Sequence, residues 1–242
     1  MKVLSIGNSF SQDAQRYLSR LAKDNGEDLL TVNLMIGGCS LETHYQMMKS
    51  AENKYMLEVN GITTGIWVNM PQVVKSCKWD VITLQQASHY SFDYDTYMPY
   101  AKEIVDFVRE NNPDAKILIH QTWAYSGGSD KLKDVAKLSS AKEMLDKIKV
   151  CYDKMAKEIN ADGIIPSGVA MQRALDLGID KIHRDTFHAS LGAGRYLLAL
   201  CWYKKIFDKD VSKDRFCGFD EPVSRKHRKI VIKAVNYAFK NR

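Results

Sequence analysis

The chain has 242 residues, of which 45% are hydrophobic and 26% charged, and its mean hydropathy is −0.33. Those values exclude a disordered or fibrous chain, and no apolar run approaches the roughly 20 residues that cross a bilayer, so no membrane partner is expected. The net charge of +6 comes largely from Arg225-Lys226-His227-Arg228-Lys229 and the Lys240/Arg242 tail, but Ile230, Val231, Ala234, Val235 and Ala238 recur behind that cluster at helical spacing. It therefore reads as the solvated face of a helix, and no nucleic-acid partner is expected.

Strand-like and helix-like segments alternate along the whole length, which predicts a mostly parallel sheet of five strands covered by helices in one domain, residues 1–242. Val3–Gly7 reads as the first strand. Ala14, Tyr17, Leu18, Leu21 and Ala22 then form an apolar helical stripe stopped by Asn25-Gly26. Leu30–Ile36 is the second strand and ends in Gly37-Gly38. The segment over about positions 39–79 is long for a crossover and is expected to overhang the site at the strands' carboxyl ends. Asp80–Gln86 is the third strand. Tyr97, Ala101, Ile104, Val105 and Val108 mark the helix after it, closed by Asn111-Asn112-Pro113. Lys116–His120 is the fourth strand, followed by the flexible Gly127-Gly128-Ser129-Asp130 turn. Met144, Ile148, Cys151, Met155 and Ile159 mark a long helix, Gly163–Pro166 a short fifth strand, and two helices follow near Leu191–Phe207 and Val223–Phe239.

Five cysteines, Cys39, Cys77, Cys151, Cys201 and Cys217, are scattered without a Cys-x-x-Cys pair. Reduced thiols are expected, with Cys39 read as a small buried hydrophobe in preference to a reactive thiol. The first strand begins directly after Met1, which leaves no room for a signal peptide, so the expected location is cytoplasmic; a leader already removed is the alternative. His44, His89, His120 and His183 lack metal-ligand spacing, so no metal is expected, and His120 reads as a hydrogen-bonded core residue.

Ligands of an open α/β sheet bind beyond the carboxyl ends of its strands. Asn8-Ser9, Gly37-Gly38, Gln85-Gln86-Ala87-Ser88 and Gln121-Thr122-Trp123 all fall at such ends. Far downstream stands Asp185-Thr186-Phe187-His188. A serine where a strand meets a helix, with an Asp-x-x-His turn, is a constellation for a nucleophile, its base and the acid that orients the base. Ser11 can cap the first helix, which releases Ser9 for chemistry.

Taken in order, these blocks resemble the SGNH (GDSL) hydrolases. Ile6-Gly7-Asn8-Ser9-Phe10 is similar to the family's first block, Gly38-Cys39-Ser40 to its second and Asp185-Thr186-Phe187-His188 to its last. Each motif is short, but their ordered combination spans most of the chain. The resemblance implies a flavodoxin-like three-layer α/β/α fold, with Ser9, Asp185 and His188 catalytic and the Ser9 and Gly38 backbone N–H groups in an oxyanion hole. It also implies a carboxylic ester as substrate, a short acyl group such as acetyl on a carbohydrate or other small polar molecule, and no cofactor.

The third block departs from the family's Gly-x-Asn-Asp and reads Gln86-Ala87-Ser88-His89. The Gln86 amide can serve as the third oxyanion donor, with Ser88 and His89 as competitors one or two positions away. Asn8, Ser88, His89 and Trp123 are candidate substrate contacts; Trp123 suits either a sugar-stacking wall or plain core packing. Acyl transfer to another alcohol would use the same residues. A carbohydrate-binding domain with a relict site is a further alternative, and a phosphate or flavin binder matches Asn8–Asp13 poorly. The oligomeric state is not specified by any of these features.

Overall fold

The computed structural model describes residues 1–241. A central sheet runs β1 (Lys2–Gly7), β2 (Leu30–Met35), β3 (Tyr55–Val59), β4 (Ile62–Val68), β5 (Val81–Leu84), β6 (Lys116–His120) and β7 (Gly163–Ile165). Their spatial order is β4-β3-β2-β1-β5-β6-β7. The expected strands are parallel neighbours, with Ser5 opposite Asn33 on β2 and Thr83 on β5. Chain order reverses about β1, so the loop after Gly7 opens at the topological switch point, where α/β sheets bind ligands.

Helices cover both faces in a three-layer α/β/α arrangement. One core packs α1 (Ser9–Gln15), α2 (Leu18–Asp24), α7 (Ser167–Asp176), α8 (Ala193–Phe207) and α9 (Arg225–Lys240) against Val3, Val81, Leu118 and Ile165. The other packs α3 (Leu41–Ser50), α4 (Met70–Lys75), α5 (Tyr100–Asn111) and α6 (Ala141–Glu158) against Leu4, Ile6, Ile82, Leu84, Ile117, Ile119 and Ile164. Successive strand residues thus serve opposite layers, as a period of two requires. The basic cluster lies on α9, whose Ile230, Val231, Ala234, Val235 and Ala238 are buried. Among the described residues no helix is long and apolar enough to cross a membrane.

The sheet has seven strands and not five. Segment 39–79 supplies the extra pair: its start, Cys39 to α3, lies beside Asn8 and Gln86, and its later part builds the sheet's edge. β3 pairs antiparallel with β2, and β4 antiparallel with β3. The turn between them is Asn60-Gly61, with φ of 52° and 74°, the left-handed pair that a tight hairpin turn favours. A side chain at Gly61 would meet the Gln15 carbonyl at 2.6 Å, so the turn is docked against the end of α1. Two further differences are small. The first helical stripe is broken at Arg16-Tyr17 into α1 and α2, and α7 follows directly on Pro166.

The layer under α1 is polar. Thr83 Oγ1 donates to Ser5 Oγ at 2.7 Å, and Gln15 Nε2 donates to the same oxygen at 2.5 Å. Ser11 Oγ and Asn33 Oδ1 are 2.8 Å apart, and Asn33 Nδ2 donates to Glu58 Oε2 at 2.8 Å. Gln12 Nε2 and Thr63 Oγ1 also donate to the Glu58 carboxylate. A bed of directional bonds holds α1 in one register, which apolar contact alone specifies less sharply.

Candidate active site

Gly7 lets the chain turn back sharply: a Cβ there would stand 2.1 Å from Ser11 Oγ. The next residue, Asn8, caps α1. Its Oδ1 accepts the Phe10 N–H at 3.0 Å, while Ser11 Oγ accepts the Asn8 N–H at 3.0 Å. The cap is therefore Asn8, with Ser11 completing a capping box, and not Ser11 itself. Asn8 Oδ1 also accepts Gln85 Nε2–H at 2.6 Å, and Asn8 Nδ2 donates to the Cys39 carbonyl at 3.1 Å. Buried and held by three hydrogen bonds, the Asn8 side chain joins the ends of β1, β2 and β5 and is not presented to a substrate. Ser9, the first residue of α1, is half-buried and takes no part in the cap.

The Asp185–His188 turn meets it there. Asp185 Oδ1 accepts the backbone N–H groups of Phe187 and His188 at 2.8 and 2.7 Å, and its Oδ2 lies 2.7 Å from His188 Nδ1. On the far side of the ring, His188 Nε2 lies 2.9 Å from Ser9 Oγ. Partial burial pushes the Asp185 carboxyl up, but the donors from His188 and Phe187 outweigh it and hold the group at about 2. It is a carboxylate throughout the neutral range. The hydroxyl, imidazole and carboxylate thus form one hydrogen-bonded line, able to draw a proton off Ser9 as its oxygen attacks.

Several bonds fix the turn from behind. Ser126 N–H donates to the Thr186 carbonyl at 2.8 Å, and Trp123 Nε1–H to the Phe187 carbonyl at 2.7 Å. Trp123 is fully buried and stacks on Phe10 with ring centroids 3.9 Å apart. It is a core residue that braces Phe10 and Phe187, and no sugar can reach its face. A buried carboxylate, Asp13, supplies the strongest tie. It accepts Arg184 Nη1–H at 2.8 Å, Arg195 Nε–H at 2.9 Å and the Ala189 N–H at 3.2 Å. Neither Asp13 nor its two arginines stands out in the sequence. The available signal was a charge placed beside Ala14 on the buried stripe of α1, which demands a partner without naming it.

The expected oxyanion donors separate into two groups. Gly38 is exposed at φ +66°, and the Asn8–Cys39 bond holds its loop beside Ser9. Among the described residues neither the Ser9 nor the Gly38 N–H donates to a protein acceptor. Gln86 differs. Its Nε2 donates to the Thr96 carbonyl and hydroxyl at 2.9 and 3.1 Å, and its Oε1 accepts the Leu41 and Ala87 N–H groups at 2.9 and 2.8 Å. That buried amide ties α3 to the 87–97 loop and has no hydrogen left for an oxyanion. Ser88 is half-buried, with Oγ 3.2 Å from the Tyr125 hydroxyl. His89 packs beside Tyr90 at a centroid distance of 4.2 Å, and burial followed by Lys131 lowers its pKa.

The remaining candidates are structural. Burial pushes the Cys39 thiol up to about 12, so the group is an inert thiol. Its Sγ lies 3.4 Å from His44 Nδ1, which is 2.9 Å from the Tyr55 hydroxyl. His120 Nδ1 pairs with Gln85 Oε1 at 2.6 Å, and burial lowers both His44 and His120 to about 3. His183 Nε2–H donates to the Ala124 carbonyl at 3.2 Å. Among the described residues no group of His, Cys, Asp and Glu side chains is arranged to hold a metal ion.

Comparison with known proteins places this geometry in context. The chain superposes on a DUF4886 protein from Bacteroides uniformis with a TM-score of 0.91 and 32% identity, covering 100% of this chain and 95% of that one. A candidate SGNH hydrolase from Slackia heliotrinireducens gives 0.64 and 20%, covering 85% and 98%. An acetyl xylan esterase from Geobacillus stearothermophilus gives 0.54 and 17%, covering 92% and 97%. The last two likenesses establish a shared SGNH-like α/β fold. No curated protein matches the sequence. The family model described as "Domain of unknown function (DUF4886)" matches residues 2–238, and the chain belongs to that family.

Proposed function

We propose that this protein is a serine esterase that hydrolyses a short-chain carboxylic ester, with acetyl as the acyl group and a carbohydrate or similar small polar molecule as the alcohol. The observation that carries the reading is the unbroken line from Ser9 Oγ through His188 to Asp185, at 2.9 and 2.7 Å. The hydrolase fold shared with the neighbours supports the reaction class, and the acetyl xylan esterase among them supports the acyl group.

In this mechanism Asp185 accepts the Nδ1–H of His188, which leaves Nε2 free to take the Ser9 proton. Ser9 Oγ attacks the ester carbonyl, and the tetrahedral oxyanion receives the N–H groups of Ser9 and Gly38. With Gln86 committed to Thr96, the Ser88 hydroxyl is the third donor, its own oxygen accepting from Tyr125. Protonated His188 then gives its proton to the leaving alkoxide. Water attacks the acyl-enzyme by the same route and regenerates Ser9. Asp185 holds the imidazole tautomer and offsets the charge that forms on the ring.

The test is turnover of a para-nitrophenyl acetate by wild type and Ser9→Ala, with mass spectrometry of the quenched wild-type protein. Acetylation at Ser9 and loss of turnover in the variant are expected. Acetylation elsewhere, or turnover that survives the substitution, contradicts the reading.

A further inference from the structure

Lys131 stands at the rim of the site. It opens the short π-helical turn Lys131–Val135, just beyond the Gly127-Gly128 loop that follows β6. Its Nζ lies 3.8 Å from the centre of the Phe187 ring and 5.7 Å from that of Tyr125. Phe187 in turn packs on the His188 imidazole with centroids 3.9 Å apart. One aromatic ring therefore links the ammonium to the imidazole that contacts Ser9.

Ser88 faces the same wall through its contact with Tyr125. His89 follows it, near enough to Lys131 for the ammonium to add to burial in disfavouring a second positive charge there. Asp130 and Asp134, its acidic neighbours in sequence, are exposed, and among the described residues Lys131 forms no ion pair with a carboxylate. An aromatic face holds a cation in place without neutralising it. The half-buried ammonium is thus positioned and electrostatically unmatched beside the reacting groups.

Building on the esterase reading, we propose that Lys131 forms an anion subsite next to Ser9 and that the natural substrate is a short-chain ester whose alcohol portion carries a carboxylate. A lysine ammonium is a compact point charge on a flexible stem, suited to one carboxylate presented at varying angles.

The experiment compares para-acetoxybenzoate with its uncharged isostere para-acetoxybenzamide at low ionic strength. Lys131→Met lowers the benzoate-to-benzamide ratio of kcat/KM about tenfold, the scale of one charge-assisted contact. Lys131→Arg restores most of the ratio, and added salt erodes it in wild type. A ratio that Lys131→Met leaves unchanged overturns the subsite.

A second measurement does not need turnover. The Ser9→Ala protein is titrated with para-hydroxybenzoate, the product anion, and adding Lys131→Met weakens binding about tenfold. Binding that ignores Lys131, or no binding at all, overturns the subsite. Undiminished turnover of both esters by Ser9→Ala overturns the esterase reading instead, so the two failures are distinguishable.

Discussion

Asp13 on α1 and Arg184 on the loop before the Asp185–His188 turn are 171 positions apart, yet Arg184 Nη1 lies 2.8 Å from both carboxylate oxygens of Asp13. Asp13 also takes the Ala189 N–H just after the turn. The carboxylate therefore brackets the His188 segment on both sides from the helix that carries Ser9. It acts through those residues and touches no reacting atom. Under the proposed mechanism its role is to set the Ser9–His188 spacing.

Asp13→Asn tests that role. Breaking a buried ion pair from one side costs about 3–5 kcal/mol. Because the side chains of Arg184 and Arg195 remain 28% and 14% exposed, the lower end is expected, a Tm drop of roughly 6–12 °C. Activity measured well below the melting range should show kcat reduced by up to about 100-fold with KM nearly unchanged, since misplacement of the base affects the chemical step. A KM effect with intact kcat contradicts the positioning role.

Asp185→Asn should lower kcat by about 10⁴ by placing the imidazole in the wrong tautomer. The carboxyl also links stability to pH. Its folded value of about 2 lies below the ordinary value of 3.8, so its contribution is present above about pH 4 and is lost as pH falls towards 2. The stability gap between pH 5 and pH 2.5, measured by urea melts, should therefore be smaller in the Asp185→Asn variant than in wild type. An unchanged gap between the two pH values contradicts the assignment.

Gln86 and Ser88 should separate cleanly. Gln86→Ala removes four hydrogen bonds, two of them buried and two part-buried, and at about 1 kcal/mol each it should lower the denaturation midpoint markedly. Ser88→Ala should leave stability nearly untouched and cut kcat by about 10²–10³, the loss of one oxyanion donor. Denaturant midpoints and kcat measured on both variants decide the matter. A kcat loss confined to Gln86→Ala at unchanged midpoint returns the donor role to that amide.

The parallel core of the fold was legible because each of β1, β2, β5, β6 and β7 is a short apolar run bounded by turn residues. The β3–β4 hairpin was not. β4 lies at the sheet edge with nearly every residue exposed, so burial imposed no alternation on Ile62–Val68. Only Asn60-Gly61 signalled the turn. At the site, the proposed roles of Ser9, His188 and Asp185 were suggested by side-chain type and by their places at a strand end and on a loop, and the structure brings the three side chains into one hydrogen-bonded line. Local sequence could not distinguish the buried roles of Gln86 and Trp123 from exposed ones. A glutamine at a strand end looks alike whether its amide meets solvent or Thr96. The Asp13 clamp was hidden for a related reason: its partners arrive from the far end of the chain, and their pairing follows from tertiary packing.

The most direct measurement is the fate of an acetyl group offered to wild type and Ser9→Ala under the same conditions. The expected result is acetylation at Ser9 in the wild type, release of acetate, and neither event in a variant whose Tm is unchanged. Acetate released at the wild-type rate by the folded Ser9→Ala protein would contradict it.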